Sequence, residues 1–383
     1  MRTNISEKTL QDLEFKTVLQ HVKEHCISGL GKENVLEMLP FTSRKQLFIE
    51  LHLVNEYVSS FESENRIPNH GFDNIKESVK RLKIENSFIE TDAFLKIAAT
   101  SLTVNEHIKF FKKFKVQFPT FYELTQKIEF TTYVDDEIKK IIDISGEVKN
   151  NASSTLKQIR RDINNVRGKI GASFSSALSK AIAAGYLDDI KETIVDNQRV
   201  LAVAAMHRRK IAGSLLGSSK SGNIVYIAPQ ATLSYSREYQ NLVYEEKQEV
   251  IKILRALAAT IRPFTELLED YVNYLVRTDT VGAKAKYARE IHAILPKITK
   301  EKRVFFKDAV HPILWRKNNQ QNIKTVAQTL ELNKEQQIIV ISGPNAGGKS
   351  ITLKTIGLLQ LMLQSGLLIP VAERSQTYIF DTI

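Results

Sequence analysis

Eight residues, Gly343-Pro344-Asn345-Ala346-Gly347-Gly348-Lys349-Ser350, fit the spacing G-x-x-x-x-G-K-[ST] through Gly343, Gly348, Lys349 and Ser350. Glycines allow successive backbone N–H groups to turn inward around a phosphate without Cβ clashes. The first turn of a following helix adds about half a positive charge. At this spacing Lys349 reaches the β and γ phosphates of a bound nucleotide, and the Ser350 hydroxyl ligates Mg²⁺. The competing reading is an ordinary glycine turn, and the flanking residues decide between the two. Residues 337–342 form a short, apolar, β-branched run, which predicts a strand buried on both faces of a parallel sheet. After the loop Ile351, Leu353, Ile356, Leu359 and Leu363 recur at helical spacing until Ser365-Gly366 ends the helix. Strand, glycine turn and helix are the frame that a phosphate loop needs.

A second concentration of chemistry is electrostatic. The chain of 383 residues has a formal charge of +11, and residues 149–237 hold fourteen Lys or Arg against five acids, a net +9. From 197 to 237 there are six basic residues and no acid. A solvated surface face is the ordinary meaning of such a run, and a surface for phosphate backbones is the other. Arg199, His207, Arg208, Arg209, Lys210 and Lys220 are the candidate nucleic-acid contacts. They would position a backbone without reading bases.

The elements that must carry these groups follow from pattern. The length predicts two or three domains, and nine prolines and 16 glycines favour long helices over an all-β design. Residues 1–133 read as a helical core punctuated at Gly29-Leu30-Gly31, Pro40, residues 67–71 and Pro119. Over 134–186, Val148, Ala152, Leu156, Ile159, Ile163, Val166 and Ile170 alternate in steps of four and three, the seam of a coiled coil. About 50 residues of helix would extend about 75 Å, so a partner is needed. Residues 235–277 supply one, an antiparallel return with a break at Pro263. Between the arms, 187–234 reads as a small β tip, with a hairpin turning at Asp196-Asn197, a Gly/Ser loop over 217–222 and a strand over 223–228. Residues 278–295 return to the core, with Gly282, Ala283, Ala285 and Ala288 forming a small-residue face, and 296–383 are α/β. The fold class is therefore mainly α with a C-terminal α/β part.

Other chemistries find little support. Cys26 stands alone, which excludes an intrachain disulfide, and reads as a small buried thiol. His21, His25, His70 and His107 lack carboxylates or cysteines at ligand spacing, so no protein metal cage is predicted, and Ser350 is the one candidate Mg²⁺ ligand. The N-terminal residues have no apolar leader, and Gln360, Gln364 and Ser365 interrupt the greasiest stretch, so no membrane span is expected. The chain reads as soluble and cytoplasmic.

The loop opening Gly343-Pro344-Asn345 resembles that of the MutS mismatch-repair ATPases, a narrower signature than the generic spacing. Helical core, coiled-coil arm, β tip and returning helix resemble the MutS lever and clamp. His311-Pro312 and residues 325–332 resemble the approach to the nucleotide, where apolar side chains near Val326 meet the adenine. Residues 7–15 with Leu30-Gly31-Lys32-Glu33, residues 207–229, and residues 352–359 with Gln364-Ser365-Gly366 are similar to the second bacterial MutS branch, the anti-recombination and ribosome-associated paralogue. The resemblance covers essentially the whole chain. It implies a lever, a clamp and the start of a P-loop ATPase domain. It further implies ATP and Mg²⁺ as cofactors, with Ile351 and Val326 joining Gly343 to Ser350 at the nucleotide. Implied partners are branched or looped DNA, or alternatively a ribosome split by ATP turnover, with a homodimer formed through the ATPase domain. The expected beginning lacks the mismatch-reading domain of repair-type MutS. At the other end the family's carboxylate strand, signature loop and endonuclease domain would lie beyond Ile383. Glu373 and Asp381 are the only acids after the loop, and neither lies on a long apolar strand. Hydrolysis is therefore expected of a longer form, and the stretch in hand is also compatible with a non-hydrolysing binder.

Overall fold

A computed structural model describes residues 5–342 and 348–382. Eight helices come first: α1 (Glu7–Asp12), α2 (Phe15–Glu24), α3 (Gly29–Leu36), α4 (Arg44–Ser60), α5 (Lys76–Leu82), α6 (Thr91–Lys113), α7 (Pro119–Thr125) and α8 (Tyr133–Ile141). Then follow α9 (Ser154–Ala183), β1 (Leu187–Val195), β2 (Gln198–Ala204), β3 (Gly213–Ser218), β4 (Ile224–Pro229), α10 (Gln230–Ile261) and α11 (Thr265–Glu290). The C-terminal part holds β5 (Lys297–Ile298), β6 (Val304–Ala309), α12 (Pro312–Gln320), β7 (Gln328–Leu332), α13 (Lys349–Gln364) and β8 (Gln376–Thr377). The protein is mainly α with two small sheets.

Contacts divide the chain into two compact units, one from the described parts of 1–83, 96–136 and 263–383, the other from 84–95 and 137–262. In the first, α11 is the central helix. Val281, Ala283, Ala285, Tyr287 and Ala288 on α11 join a core shared with α2, α4 and α13. The predicted small-residue face is needed there, because a Cβ on Gly282 would meet His70 at 3.1 Å and Tyr57 at 3.2 Å. Burial pushes the Cys26 thiol up to about 12, so it packs as an inert side chain. The predicted boundary at 277/278 falls inside the continuous α11, and the helical path breaks at Arg262–Phe264, a 3₁₀ turn around Pro263, where a break is expected.

Polar groups inside this unit are tied together. The fully buried Asp279 carboxylate on α11 accepts from the Ile27 and Ser28 amides at 2.9 and 2.8 Å and from the Ser28 hydroxyl at 2.6 Å. Ser28 in turn caps α3 by accepting from the Gly31 amide at 2.9 Å. Burial would raise the Asp279 pKa, but His70 and the Ile27 and Ser28 donors outweigh it and hold the carboxyl below its ordinary value. His107, buried against Tyr274, is pushed down to about 4 by desolvation and stays neutral. These histidines serve packing.

Gly31 permits that arrangement, since a Cβ there would lie 2.2 Å from Asp279 Oδ2. Gly to Ala inside a helix ordinarily stabilises by about 1 kcal/mol. Here overpacking reverses the sign, and Gly31→Ala is expected to destabilise by about 1–3 kcal/mol. The urea midpoint of the variant measures it, and a stabilised protein would refute the stated contact.

The second unit is built on α9 and α10. Ser153 meets Glu249 (2.8 Å), Arg160 meets Glu246 (2.7 Å), Arg167 meets Tyr239 (3.1 Å) and Ser173 meets Ala231 (2.9 Å). Numbers rise on one helix as they fall on the other, so the pair is antiparallel. The arm is shorter than its periodicity predicts. Residues 142–153 leave the helix, with an Ile142–Val148 bridge. The Asp143 carboxylate accepts from the Ser145 and Glu147 amides, and Gly146 is left-handed at φ +86°. That turn chemistry ends α8, and the Ser153 hydroxyl caps a new start by accepting from Leu156 N at 3.0 Å. Val148 and Ala152 therefore lie outside the helical seam, and α9 spans 30 residues, about 45 Å.

The tip sheet has the order β1-β2-β4-β3. Asp196 and Asn197 join β1 to β2 with φ of +48° and +59°, the backbone that a two-residue hairpin turn requires. Leu201, Val203, Val225 and Ile227 pack on Phe174 and Ala181 of α9. The predicted Gly/Ser loop is shorter, because β3 takes up Gly217 and Ser218.

Candidate nucleotide and nucleic-acid sites

Helix α13 carries the end of the phosphate-loop motif. Gly348 is its N-cap, left-handed at φ +80°, which a Cβ would strain. Its carbonyl accepts from the Thr352 amide (3.0 Å) and hydroxyl (3.1 Å), so the first turn is closed. Lys349 is half-buried and Ser350 exposed in that turn, with Ile351 half-buried beside them. Gly343, Pro344, Asn345, Ala346 and Gly347 lie outside the described residues. Val326 is exposed ahead of β7.

The far end of α13 is fixed. All residues from Leu358 to Gln364 are buried. Gln360 donates to the Tyr378 carbonyl (2.9 Å) and accepts from the Thr377 hydroxyl (2.7 Å). Gln364 donates to the Phe380 carbonyl and accepts from its amide, at 2.9 and 2.8 Å. Two glutamines that break an apolar stretch thus act as ladder partners for the chain after β8. Among the described residues no helix is long and apolar enough to cross a membrane. Near the middle of α13, Leu13 fills the space beside Gly357, and Lys354 Nζ lies 3.4 Å from the Glu14 carboxylate. The helix is thus anchored along its second half and carries Gly348, Lys349 and Ser350 at the other end.

The predicted strand before the loop is corrected. Residues 337–342 form no strand, and Ile338 and Val340 are 84% and 86% exposed. A parallel strand is stable only between neighbours, and the C-terminal sheet, ordered β5-β8-β6-β7, offers this run no pairing. Of the two acids after the loop, Glu373 sits in a turn and Asp381 lies 4.0 Å from Arg44.

At the tip, the predicted cations differ in availability. Arg199 is committed locally: its guanidinium donates to both Glu192 oxygens at 2.7 and 3.0 Å and lies over the Phe174 ring at 4.4 Å. His207 packs on Tyr186 with ring centroids 5.0 Å apart. Arg208, Arg209 and Lys210 are exposed on the 3₁₀ turn Ala205–Lys210, and Lys220 is exposed in the β3–β4 connection. Lys210 shares a cleft of ≈ 430 Å³ with Lys180, Tyr186, Ser173 and Gln230, and no acid lines it. Sequence reasoning missed Lys180 and Tyr186, which reach the cleft only because α9 ends against the sheet.

No family model matches the chain. It is 31% identical to the putative endonuclease MutS2 of Bacillus subtilis over 382 residues, and 30% identical to the endonuclease MutS2 of Lactobacillus helveticus over 381. Each alignment covers 99% of the chain and 48% of the relative. The endonuclease MutS2 of a Geobacillus strain is 31% identical over 98% of the chain. The chain is related to MutS2 proteins. It spans about half the length of the curated relatives it matches.

Proposed function

We propose that the chain is the ATP-binding and nucleic-acid-gripping part of a MutS-type clamp, acting within a longer, dimeric ATPase. The observation that carries the reading is the position of Gly348-Lys349-Ser350 at the solvent-accessible head of a helix whose second half is buried, in register with the phosphate-loop spacing. The residues fit a polyphosphate: the left-handed glycine opens the turn, the helix start supplies partial positive charge, and Lys349 adds a full one. Ser350 would hold Mg²⁺ through its hydroxyl, and Ile351 and Val326 supply apolar surface. Bound Mg²⁺–ATP brings a cleavable γ-phosphate; this chain's residues orient it. Neither hydrolysis nor a nuclease step is assigned to the residues described.

The nucleic-acid half rests on the acid-free stretch from 197 to 237, which covers most of the tip. Branched or looped DNA is the proposed partner, gripped through backbone phosphates by Arg208, Arg209, Lys210 and Lys220, with His207 beside them. Arg199 holds Glu192 and Phe174 in place and contributes less directly. Calorimetric titration with Mg²⁺–ATP and salt-dependent DNA binding test the two halves separately. Replacing Arg208, Arg209 and Lys210 by Ala is expected to lower the log–log salt slope by about 0.9 per lost phosphate contact, for all sequences alike. An unchanged slope would remove the tip from the interface. Tighter retention on ribosomes than on branched DNA at the same salt would move the proposed partner to ribosomal RNA.

A further inference from the structure

The charge of the second unit is unequally shared between its two long helices. α9 carries six Lys or Arg and one acid, Asp162, whereas α10 carries four of each. Much of the α9 excess sits at its N-terminal end, away from the residues already assigned to the tip. There a cleft of ≈ 470 Å³ is lined by polar side chains alone, among them Asn150, Lys157, Arg160, Arg161, Asn164 and Asn165. No carboxylate lines it. The nearby Asp162 is held by Gln158, whose amide donates to both its oxygens at 3.0 Å. Arg160 is fixed by Glu246, by the Val148 carbonyl and by Asn150, so one wall is rigid. Lys157 and Arg161 are exposed and make no ion pair among the described residues.

Two cations that make no ion pair among the described residues, over a wall of amide groups and the Glu246-paired Arg160 guanidinium, suit an oxyanion. We propose that this cleft is a second phosphate-backbone contact, engaged by the same duplex that the tip grips. The inference rests on the nucleic-acid reading above and adds a place and a length to it. From Arg161 to Lys180 is nineteen residues of continuous helix, or about 28 Å at 1.5 Å per residue. A duplex advances about 3.4 Å per base pair, so about eight base pairs bridge the two contacts.

The test is the length dependence of binding to the intact protein, followed by fluorescence anisotropy. The probes are a hairpin stem of about 6 base pairs and a duplex of about 24, each as DNA and as RNA. Lys157→Ala with Arg161→Ala is expected to weaken the long duplex about tenfold and lower its salt slope by about 2, leaving the short stem unchanged. Equal losses on DNA and RNA mark backbone contact, and a loss on one of them alone identifies the helix geometry that fits. Both sites are exposed and helical, so circular dichroism should show an unaltered fold. Equal weakening of short and long probes, or no weakening of either, overturns the second contact while the tip reading stands. If the unaltered protein retains neither probe, the underlying nucleic-acid reading fails, and this contact with it.

Discussion

Lys349→Ala is expected to reduce Mg²⁺–ATP affinity at least about 100-fold, the equivalent of about 2.7 kcal/mol. The magnitude follows from what is removed. An ammonium facing two phosphates makes charge-assisted hydrogen bonds, and truncating one partner of such a pair costs about 2–5 kcal/mol. The fold should tolerate the change, because alanine is the best helix former and Lys349 stands in the first turn of α13. Ser350→Ala separates the metal from the phosphate: binding should weaken when Mg²⁺ is present and change little when it is chelated. Calorimetry on the intact protein reads both. A Lys349→Ala protein that binds ATP within threefold of the unaltered one would end the phosphate-loop assignment.

The parts of this site that were legible in the sequence are those fixed by local rules. The end of α13 at Ser365-Gly366 needs only a glycine able to take φ +77°. The Asp196-Asn197 turn and the Pro263 break likewise depend on backbone preferences of the residues themselves. What was not legible depends on which groups pair once the chain folds, and a periodic pattern does not register that. A β-branched run at 337–342 has strand propensity, but a strand forms only when another strand offers its edge. Val148 and Ala152 continue a four-three spacing by composition, and periodicity has no means of registering that the Asp143 carboxylate collects two amides before them. Arg199 reads as a surface cation until β1 and β2 pair and bring Glu192 and Arg199 onto one ion pair. Charge counts find a basic region; cross-strand register decides which of its cations are spoken for.

A buried ion pair lies at the end of α13 opposite Gly348. Lys284 of α11 is 2% exposed, and its ammonium lies 2.6 Å from the Glu50 carboxylate, whose side chain is 6% exposed. Arg277 approaches the same carboxylate at 3.3 Å. Gly366, just past α13, leaves room for them: a Cβ there would meet Glu50 Cγ at 2.7 Å. Burial alone would raise the Glu50 pKa, and Lys284 and Arg277 more than offset it, holding the carboxyl below the ordinary glutamate value. Glu50→Ala would leave Lys284 enclosed without an anion, an expected loss of about 3–5 kcal/mol. A neighbouring cavity of ≈ 1000 Å³, which Glu50, Arg277 and Lys284 line, admits water and favours the lower figure. Removing both charges with Glu50→Leu and Lys284→Met should recover most of the stability, because well-packed apolar groups often replace a buried pair without loss. The sign of the pH dependence follows from the depressed folded pKa. The Glu50 contribution is complete above the unfolded glutamate value of about 4.3 and disappears as pH falls from there toward the lower folded value. Urea midpoints measured from pH 7 down to about pH 3 should therefore fall less steeply in the double variant than in the unaltered protein. Parallel curves for the two would mean that the Glu50–Lys284 pair contributes nothing to acid lability, and the pair would then be a product of packing and not a source of stability.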